Sequence, residues 1–322
     1  MKLQKEVAAR SAQELLQEFN ETRRGDASGC YLTFRGAEGY DVYNPSVPFE
    51  IDGKTVIAGR VEQRENEVSR TMFFEKSGNE WVLIPDAPVL PLQDPFVTFI
   101  GGELVLGGVY CDWDGPVLRR FATHYYRGSS LQSLTYFTTG PDFMKDIRLL
   151  ELPDGRIAIC SRPQGGELLE KTGCMAKIGF AIVDSLDDVG PDAVRNAVNL
   201  EGQFLPSEWG GANQLFNLSN GLIGIIGHKS WGEMVDGKNL LHYYCMAFAL
   251  DPRTMEVSPV KIIGCRDCFP AGEEKKIQTR DVTFTSGIVR LENGKAMLYA
   301  GLSDCDAGCM LIEDPFLEYE AL

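Results

Sequence analysis

No stretch of this 322-residue sequence approaches the ~20 consecutive apolar residues that a membrane-spanning helix needs. The opening segment, MKLQKEVAARSAQELLQEF, is charged throughout and lacks the apolar run of a secretory leader. The expected compartment is therefore the cytoplasm, with no membrane partner. Positive charge is also scarce. Lys and Arg total 31 against 46 Asp and Glu, a net charge of -15. Such an excess excludes a general attraction to nucleic acid or anionic lipid, so an anionic ligand needs a locally cationic pocket. No GxGxxG opens a helix and no phosphate loop ends in Gly-Lys-Ser/Thr, so no nucleotide or redox cofactor is expected. The nine cysteines are scattered, some within apolar runs (Cys160, Cys245), and are read as reduced. The one CxxC, Cys265 to Cys268, is followed by Cys305 and Cys309 at a spacing unusual for zinc. Packed or surface thiols are expected there, and no metal.

What is present is β texture. Residues 2–19 have helical spacing, with Val7, Ala8, Ser11, Leu15 and Phe19 on one face. Beyond them, short runs of Val, Ile, Phe, Tyr and Thr alternate with tight-turn dipeptides. One unit recurs five times: Asp52-Gly53 before KTVIAGR, Gly101-Gly102 before ELVLGGVY, Asp154-Gly155 before RIAICSR, Asn220-Gly221 before LIGIIGH, and Asn293-Gly294 before KAMLYAG. Each is a turn followed by an apolar strand with small residues such as Ala58-Gly59 and Gly107-Gly108. Repetition at these intervals fits the blades of a propeller better than a β-sandwich. The expectation is an all-β, five-bladed β-propeller over residues 29–322, with residues 1–28 as a helical segment packed on it. The only later helix is expected near 186–200. An oligomer is left open.

In such a fold, polar groups at the ends of the inner strands converge on one mouth of the axis. Arg60, Glu67, Gln93, Asp94, Lys145, Asp146, Arg148, Arg162, His228 and Asp304 all sit next to the repeating units. In an acidic chain, the cations and His228 together make a candidate anion site. Asp94 lies between the apolar stretches APVLPL and FVTFI, beside Pro95. Withdrawn from water, its carboxyl would keep a proton to higher pH and act as a general acid. One acid beside several cations suits phosphorolysis better than hydrolysis, because phosphate arrives already anionic.

At these residues the sequence resembles a known family. The stretches DVYNPSVPF, GRVEQRENEVS, LQDPFVTFIGGELVLGGV, GPDFMKDIRLLELPDGRIAICSRPQG, EWGGANQ, NGLIGIIGH, DVTFTSGIVR and LYAGLSDCDAG are similar to a family long of unknown function. It includes the mannosyltransferase-phosphorylases of trypanosomatid parasites and is distantly related to inverting β-mannoside phosphorylases, which are five-bladed propellers. The resemblance covers about residues 30 to 316. It implies reversible, inverting transfer of mannose between a β-1,2-mannooligosaccharide and phosphate, giving α-mannose 1-phosphate. It also implies that Asp94 is the catalytic acid, acting through a sugar hydroxyl, and that Arg60, Arg148, Arg162 and His228 line the phosphate side. Asn44, Glu67, Gln93, Lys145, Asp146, Glu208, Asn213 and Asp304 are then sugar partners, and Tyr126 and Trp209 candidates for stacking. The related phosphorylases carry Glu-Asp-Pro-Arg where this chain has Gln93-Asp94-Pro95-Phe96, one carboxylate and one cation fewer.

Two other readings share the fold. A glycoside hydrolase needs a second carboxylate at a set distance from the first, for which Glu208 and Asp304 are the candidates. A non-catalytic propeller would bind glycan without turnover.

Overall fold

The computed structural model describes residues 2–5, 7–23 and 29–322. The boundary expected after residue 28 abuts residues 24–28, which lie outside the described residues. The chain is mainly β-strand. Each of the five expected turns joins an innermost strand to the second strand of its group. In the first group Lys54–Glu62 pairs with Asp41–Tyr43 and Phe49–Ile51 on one side. On the other side follow Arg70–Ser77, Glu80–Leu83 and Thr33–Arg35. The second runs Leu92–Ile100, Glu103–Asp114, Val117–Gly128, Thr135–Thr139, and the third Arg148–Glu151, Ile157–Ser161, Gly179–Val183, Val198–Asn199. The fourth (Trp209–Asn217, Ile223–Val235, Lys238–Asp251 with two short outer strands) is joined to the fifth (Asp281–Arg290, Lys295–Leu302, Asp306–Glu313). The junction is a short parallel pairing of His242 with Asp281 and Tyr243 with Val282. The strand Cys30–Tyr31 completes the fifth group by pairing with Asp306–Glu313.

The groups follow one another in space. The inner strand Leu92–Ile100 lies against Arg148–Glu151, which lies against Trp209–Asn217, which in turn lies against Asp281–Arg290. Asp41–Tyr43 contacts the second and third strands of the fifth group. Apolar side chains fill the spaces between neighbouring groups. Phe49, Phe73, Leu92 and Leu106 lie between the first and second, and Phe96, Tyr125, Leu149 and Ile159 between the second and third. Val42, Phe74 and Trp81 pack with Tyr299 between the first and fifth. Burial on this scale is the main favourable term in folding. The small residues have a local cause. A Cβ on Gly107 would enter the ring of Phe96, and one on Gly59 would press on Val42.

The helices differ from expectation. The first begins at Ala12, not near residue 2, and runs Ala12–Thr22. Ser11 and Glu14 form a capping box that fixes its start. The described residues before it are not helical, and Gln4 bridges to Val257. Ala12 and Leu15 enter the core beside Phe204 and Ile262. Near 186–200 there is one 3-10 turn, Leu186–Asp188, and a short helix, Pro191–Arg195. A further helix, Gly166–Thr172, was not expected. Its GELLEKT sequence precedes Gly173, which caps it in the left-handed conformation. No helix among the described residues is long and apolar enough to cross a membrane.

Candidate active site

The innermost strand of every group is interrupted at the same level. In the first group, pairing breaks between Tyr43 and Phe49, at Asn44. The second has a bulge between Gln93 and Phe96, at Asp94. In the third, Asp146 stands just ahead of the strand, and the fourth and fifth have bulges at Asn213 and Ser286. Asn44, Asp94 and Asp146 all have positive φ (41°, 48° and 57°), as do Ser303 and Asp304 (52° and 56°). Asn and Asp tolerate this conformation best, and clustered backbone strain of this kind is a feature of functional sites. The interruptions turn five short polar side chains toward the space between the inner strands.

On one side of this level is a cavity of about 190 Å³. Eight of the expected site residues line it: Asn44, Arg60, Glu67, Gln93, Asp94, Lys145, Arg162 and Asp304. Asp94 is 5% exposed. Its Oδ1 accepts from Asn44 Nδ2 at 2.8 Å and from Arg60 Nη1 at 3.0 Å. Arg60 also reaches Glu62 Oε2 through Nε (3.1 Å) and Nη2 (2.9 Å), and lies over the Tyr43 ring. Gly301 admits Asn44 here, because a Cβ on it would collide with the Asn44 amide oxygen. None of the ion pairs among the described residues engages Lys145, whose ammonium remains available to a ligand.

The protonation of Asp94 differs from the sequence expectation. Burial pushes its carboxyl up, but the Arg60 and Lys145 charges and the Asn44 amide outweigh that and hold it below the ordinary aspartate value. Asp94 is a carboxylate in the free protein. The carboxyl that burial does push up, to about 6, is Asp304, with Arg60 opposing the shift and the neighbouring Asp94 charge adding to it. The two acids flank one guanidinium in opposite protonation states below about pH 6.

Four expected residues lie beneath the cavity instead of on its wall. Asp146 is fully buried and paired with Arg162 Nη1, and lies 3.6 Å from Arg148 Nη2. Burial raises Asp146, yet the Arg162 and Arg148 guanidinium groups keep it ionised. His228 Nδ1 pairs with Asn213 Oδ1 at 2.7 Å, and the ring stacks on Tyr243. Burial lowers His228 to about 3, against the pull of Asp146, so the imidazole is neutral. With Asn213 accepting, the proton is on Nδ1 and Nε2 is an acceptor. Arg148 donates to the Asn213 carbonyl at 2.8 Å and packs over the Phe96 ring; with Asn213 it lines a second cavity of about 230 Å³. Asn44 Oδ1, Asp146 Oδ1, Arg162 Nε, Asn213 Nδ2, His228 Nε2 and Ser286 Oγ are buried without a hydrogen-bond partner among the described residues. Polar atoms left this way are costly, and a bound polar ligand would satisfy them.

Glu208 is elsewhere, which corrects its expected place among the sugar partners. Its carboxylate is buried, paired with Lys229 Nζ, and accepts from the Ala12 amide at 2.6 Å and the Leu205 amide at 2.7 Å. One oxygen holds the start of the N-terminal helix through Ala12, and the other is taken by Leu205 and Lys229. Of the stacking candidates, Tyr126 packs edge-on against Tyr136, and Trp209 donates to the Tyr243 hydroxyl at 2.9 Å; neither lines the cavity. Sequence reasoning missed Tyr43, Tyr243, Lys275, Lys276 and Thr279, which do line it. Lys275 pairs with Glu62 and donates to the Asn66 carbonyl at 2.8 Å; Lys276 pairs with Glu67 at 3.0 Å. The loop before the fifth group is thereby clasped to the turn after Glu62. Among the described residues no group of three or more His, Cys, Asp or Glu side chains is placed to hold a metal.

Three solved structures place this geometry. A mannose phosphorylase from Leishmania mexicana, determined with phosphate ion, is 38% identical, with 96% of this chain and 94% of that chain covered and a TM-score of 0.88. A GDP-Man-dependent mannosyltransferase from the same organism is 36% identical, with 95% of each chain covered and a TM-score of 0.86. A β-1,2-mannobiose phosphorylase from Listeria innocua shares the fold at 15% identity, with 88% and 93% covered and a TM-score of 0.62. No curated protein matches the chain. Residues 18–318 match the family described as protein of unknown function (DUF1861), and the chain belongs to that family.

Proposed function

We propose that this chain is an inverting β-1,2-mannoside phosphorylase or mannosyltransferase of the cytoplasm. It moves mannose reversibly between a β-mannooligosaccharide and phosphate, with α-mannose 1-phosphate as the phosphorylated partner. We read its five strand groups as the blades of a propeller over residues 29–322, the N-terminal segment packing on it. The observation that carries the reading is Asp94 held by Asn44 and Arg60 at the wall of a small cavity that Lys145, Arg162, Lys275 and Lys276 also line. The Leishmania mexicana relatives support the choice of mannose as the transferred sugar.

In phosphorolysis, a phosphate oxygen attacks the anomeric carbon opposite the leaving oxygen, which takes a proton from the acid. In synthesis, the acceptor hydroxyl gives its proton to a carboxylate and attacks the anomeric carbon, and phosphate departs with the bonding electrons. The ionised Asp94 of the free protein is set for the second direction, in which it acts as base. Arg60, Lys145 and Arg162 are assigned to the phosphate. Asn44, Glu67, Gln93 and Asp304 are assigned to sugar hydroxyls, which amides and carboxylates bind well. Asp146, paired with Arg162 and lying beside Arg148, forms with the neutral His228 ring the floor that orients Arg162.

Mixing the protein with α-mannose 1-phosphate and mannose tests this. Inorganic phosphate should appear with a mannose disaccharide, and Asp94→Asn should abolish it. Folded protein that releases no phosphate with any acceptor sugar would overturn the reading. Hydrolysis is the second reading, because two carboxyl groups, Asp94 and Asp304, line the same cavity and are pushed in opposite directions by their surroundings. Release of mannose at a rate independent of phosphate would select it.

A further inference from the structure

The proposed reaction has no use for the Cys265-Arg-Asp-Cys268 motif, which lies apart from the cavity. Cys265 caps the 3-10 turn Arg266–Cys268, and the Cys268 amide donates to the Cys265 carbonyl at 3.1 Å. Residues three apart eclipse one another in a 3-10 turn, which here sets the two sulfurs 3.7 Å apart. A second element meets them. Arg23, at the C-terminal end of the N-terminal helix, donates from Nη1 to Cys268 Sγ at 3.2 Å. The Cys265 thiol bonds to Cys268 Sγ as well, and these two donors overcome burial to hold Cys268 below the ordinary thiol value. Cys265 shifts the opposite way, chiefly through the same bond, so the pair divides into one thiolate and one thiol. Both cysteines are buried, but Arg23 is exposed and lines a groove of about 680 Å³ with Phe19, Thr22 and Ile262. Arg23 thus touches both the Cys268 sulfur and that groove.

We propose that Cys265 and Cys268 are a reactive dithiol, with Cys268 the attacking sulfur activated by Arg23, that takes low-molecular-weight disulfides as its substrate class. The Cys268 thiolate attacks one sulfur of the small disulfide and expels the other half as thiolate. The Cys265 thiol then loses its proton, attacks Cys268 Sγ and expels the second half. Starting as one thiolate and one thiol, the protein loses two electrons and one proton, and the small disulfide leaves as one thiolate and one thiol. Once Cys268 is bonded to Cys265 it no longer accepts a hydrogen bond as thiolate, and Arg23 loses that partner.

The test is incubation of the native full chain with oxidised glutathione at neutral pH, followed by peptide mass spectrometry. The expected result is loss of two free thiols as a Cys265–Cys268 disulfide. In Cys265→Ser, glutathione should instead remain attached to Cys268, and Arg23→Gln should slow the reaction at least fivefold while leaving the thiol count of unfolded protein unchanged. The proposal is overturned if both cysteines stay free until the protein is unfolded. It is also overturned if oxidation is confined to the cross-strand pair Cys30 and Cys309, whose sulfurs are 3.6 Å apart, or if Arg23→Gln reacts at the wild-type rate.

Discussion

Arg60 and Asp94 are joined by a single hydrogen bond of 3.0 Å between Nη1 and Oδ1, while Nε and Nη2 of the guanidinium are committed to Glu62 and Ser69. This bond sets the charge of the reacting carboxylate. Asp94 is depressed in the fold, so its stabilising contribution is present above the unfolded value near 4 and is lost as pH falls through its folded value. Synthesis, which needs the carboxylate, should show an acid limb below that of an ordinary aspartate. In Arg60→Gln the limb should move to higher pH, read from the pH profile of kcat for phosphate release. An unchanged profile would dissociate Arg60 from the protonation of Asp94.

Asp94→Asn keeps the side-chain shape and removes the base. Turnover in both directions should fall by about 10²–10⁴-fold, the usual range for a positioned acid or base. The melting temperature should stay within a few degrees of wild type. Initial rates together with a thermal melt separate lost chemistry from lost folding.

Asp304 is raised to about 6 by burial, so the folded state binds its proton more tightly than the unfolded chain does. Its effect has the opposite sign to that of Asp94: stability falls as pH rises from about 4 through about 6. Asp304→Asn removes that cost. It should stabilise the protein at pH 8 by about 1–2 kcal/mol relative to its effect at pH 4, measured by urea unfolding at the two pH values.

The three histidines should titrate differently. Burial depresses His124, whereas Asp281 and Glu233 overcome burial to raise His242. His228 is held at about 3, so the unfolded state takes up its proton first and stability declines as pH drops from about 6.5 toward 3. Imidazole resonances followed between pH 5 and 8 should include one that does not move. That resonance should vanish in His228→Asn. A His228 midpoint within this window would contradict the neutral, buried ring.

Glu208→Gln leaves the Lys229 ammonium buried without its carboxylate. The expected loss is about 3–5 kcal/mol, the range for breaking one side of a buried pair. The double change Glu208→Gln, Lys229→Met, which removes the buried charge while an amide oxygen can still accept from the Ala12 amide, should recover part of it. Denaturant midpoints of the three proteins decide whether the pair anchors the helix as the geometry requires.

The turns were legible because each needs a conformation that few residues adopt. Gly53, Gly155, Gly221 and Gly294 all have positive φ, and each follows Asp or Asn. Asp94 was legible as a site residue because a polar side chain interrupts an apolar strand, yet its ionisation was not. That depends on Arg60 and Asn44, which lie 34 and 50 residues away along the chain. Lys275 and Lys276 were missed because Glu273-Glu274-Lys275-Lys276 reads as a solvated charge run; only the fold brings it to Glu62 and Glu67. Glu208 was misplaced because nothing near it in sequence announces Ala12 or the buried Lys229 ammonium as its partners.

The pairing of Cys30 with Cys309 spans nearly the full sequence. The fifth group remains a strand short, with one edge open, until the segment at Cys30–Tyr31 meets the one at Asp306–Glu313. Neither can satisfy its backbone amides there alone. Sealing the sheet is thus a late, long-range event, and a chain halted before Asp306 would carry an unprotected edge however well its earlier groups had formed.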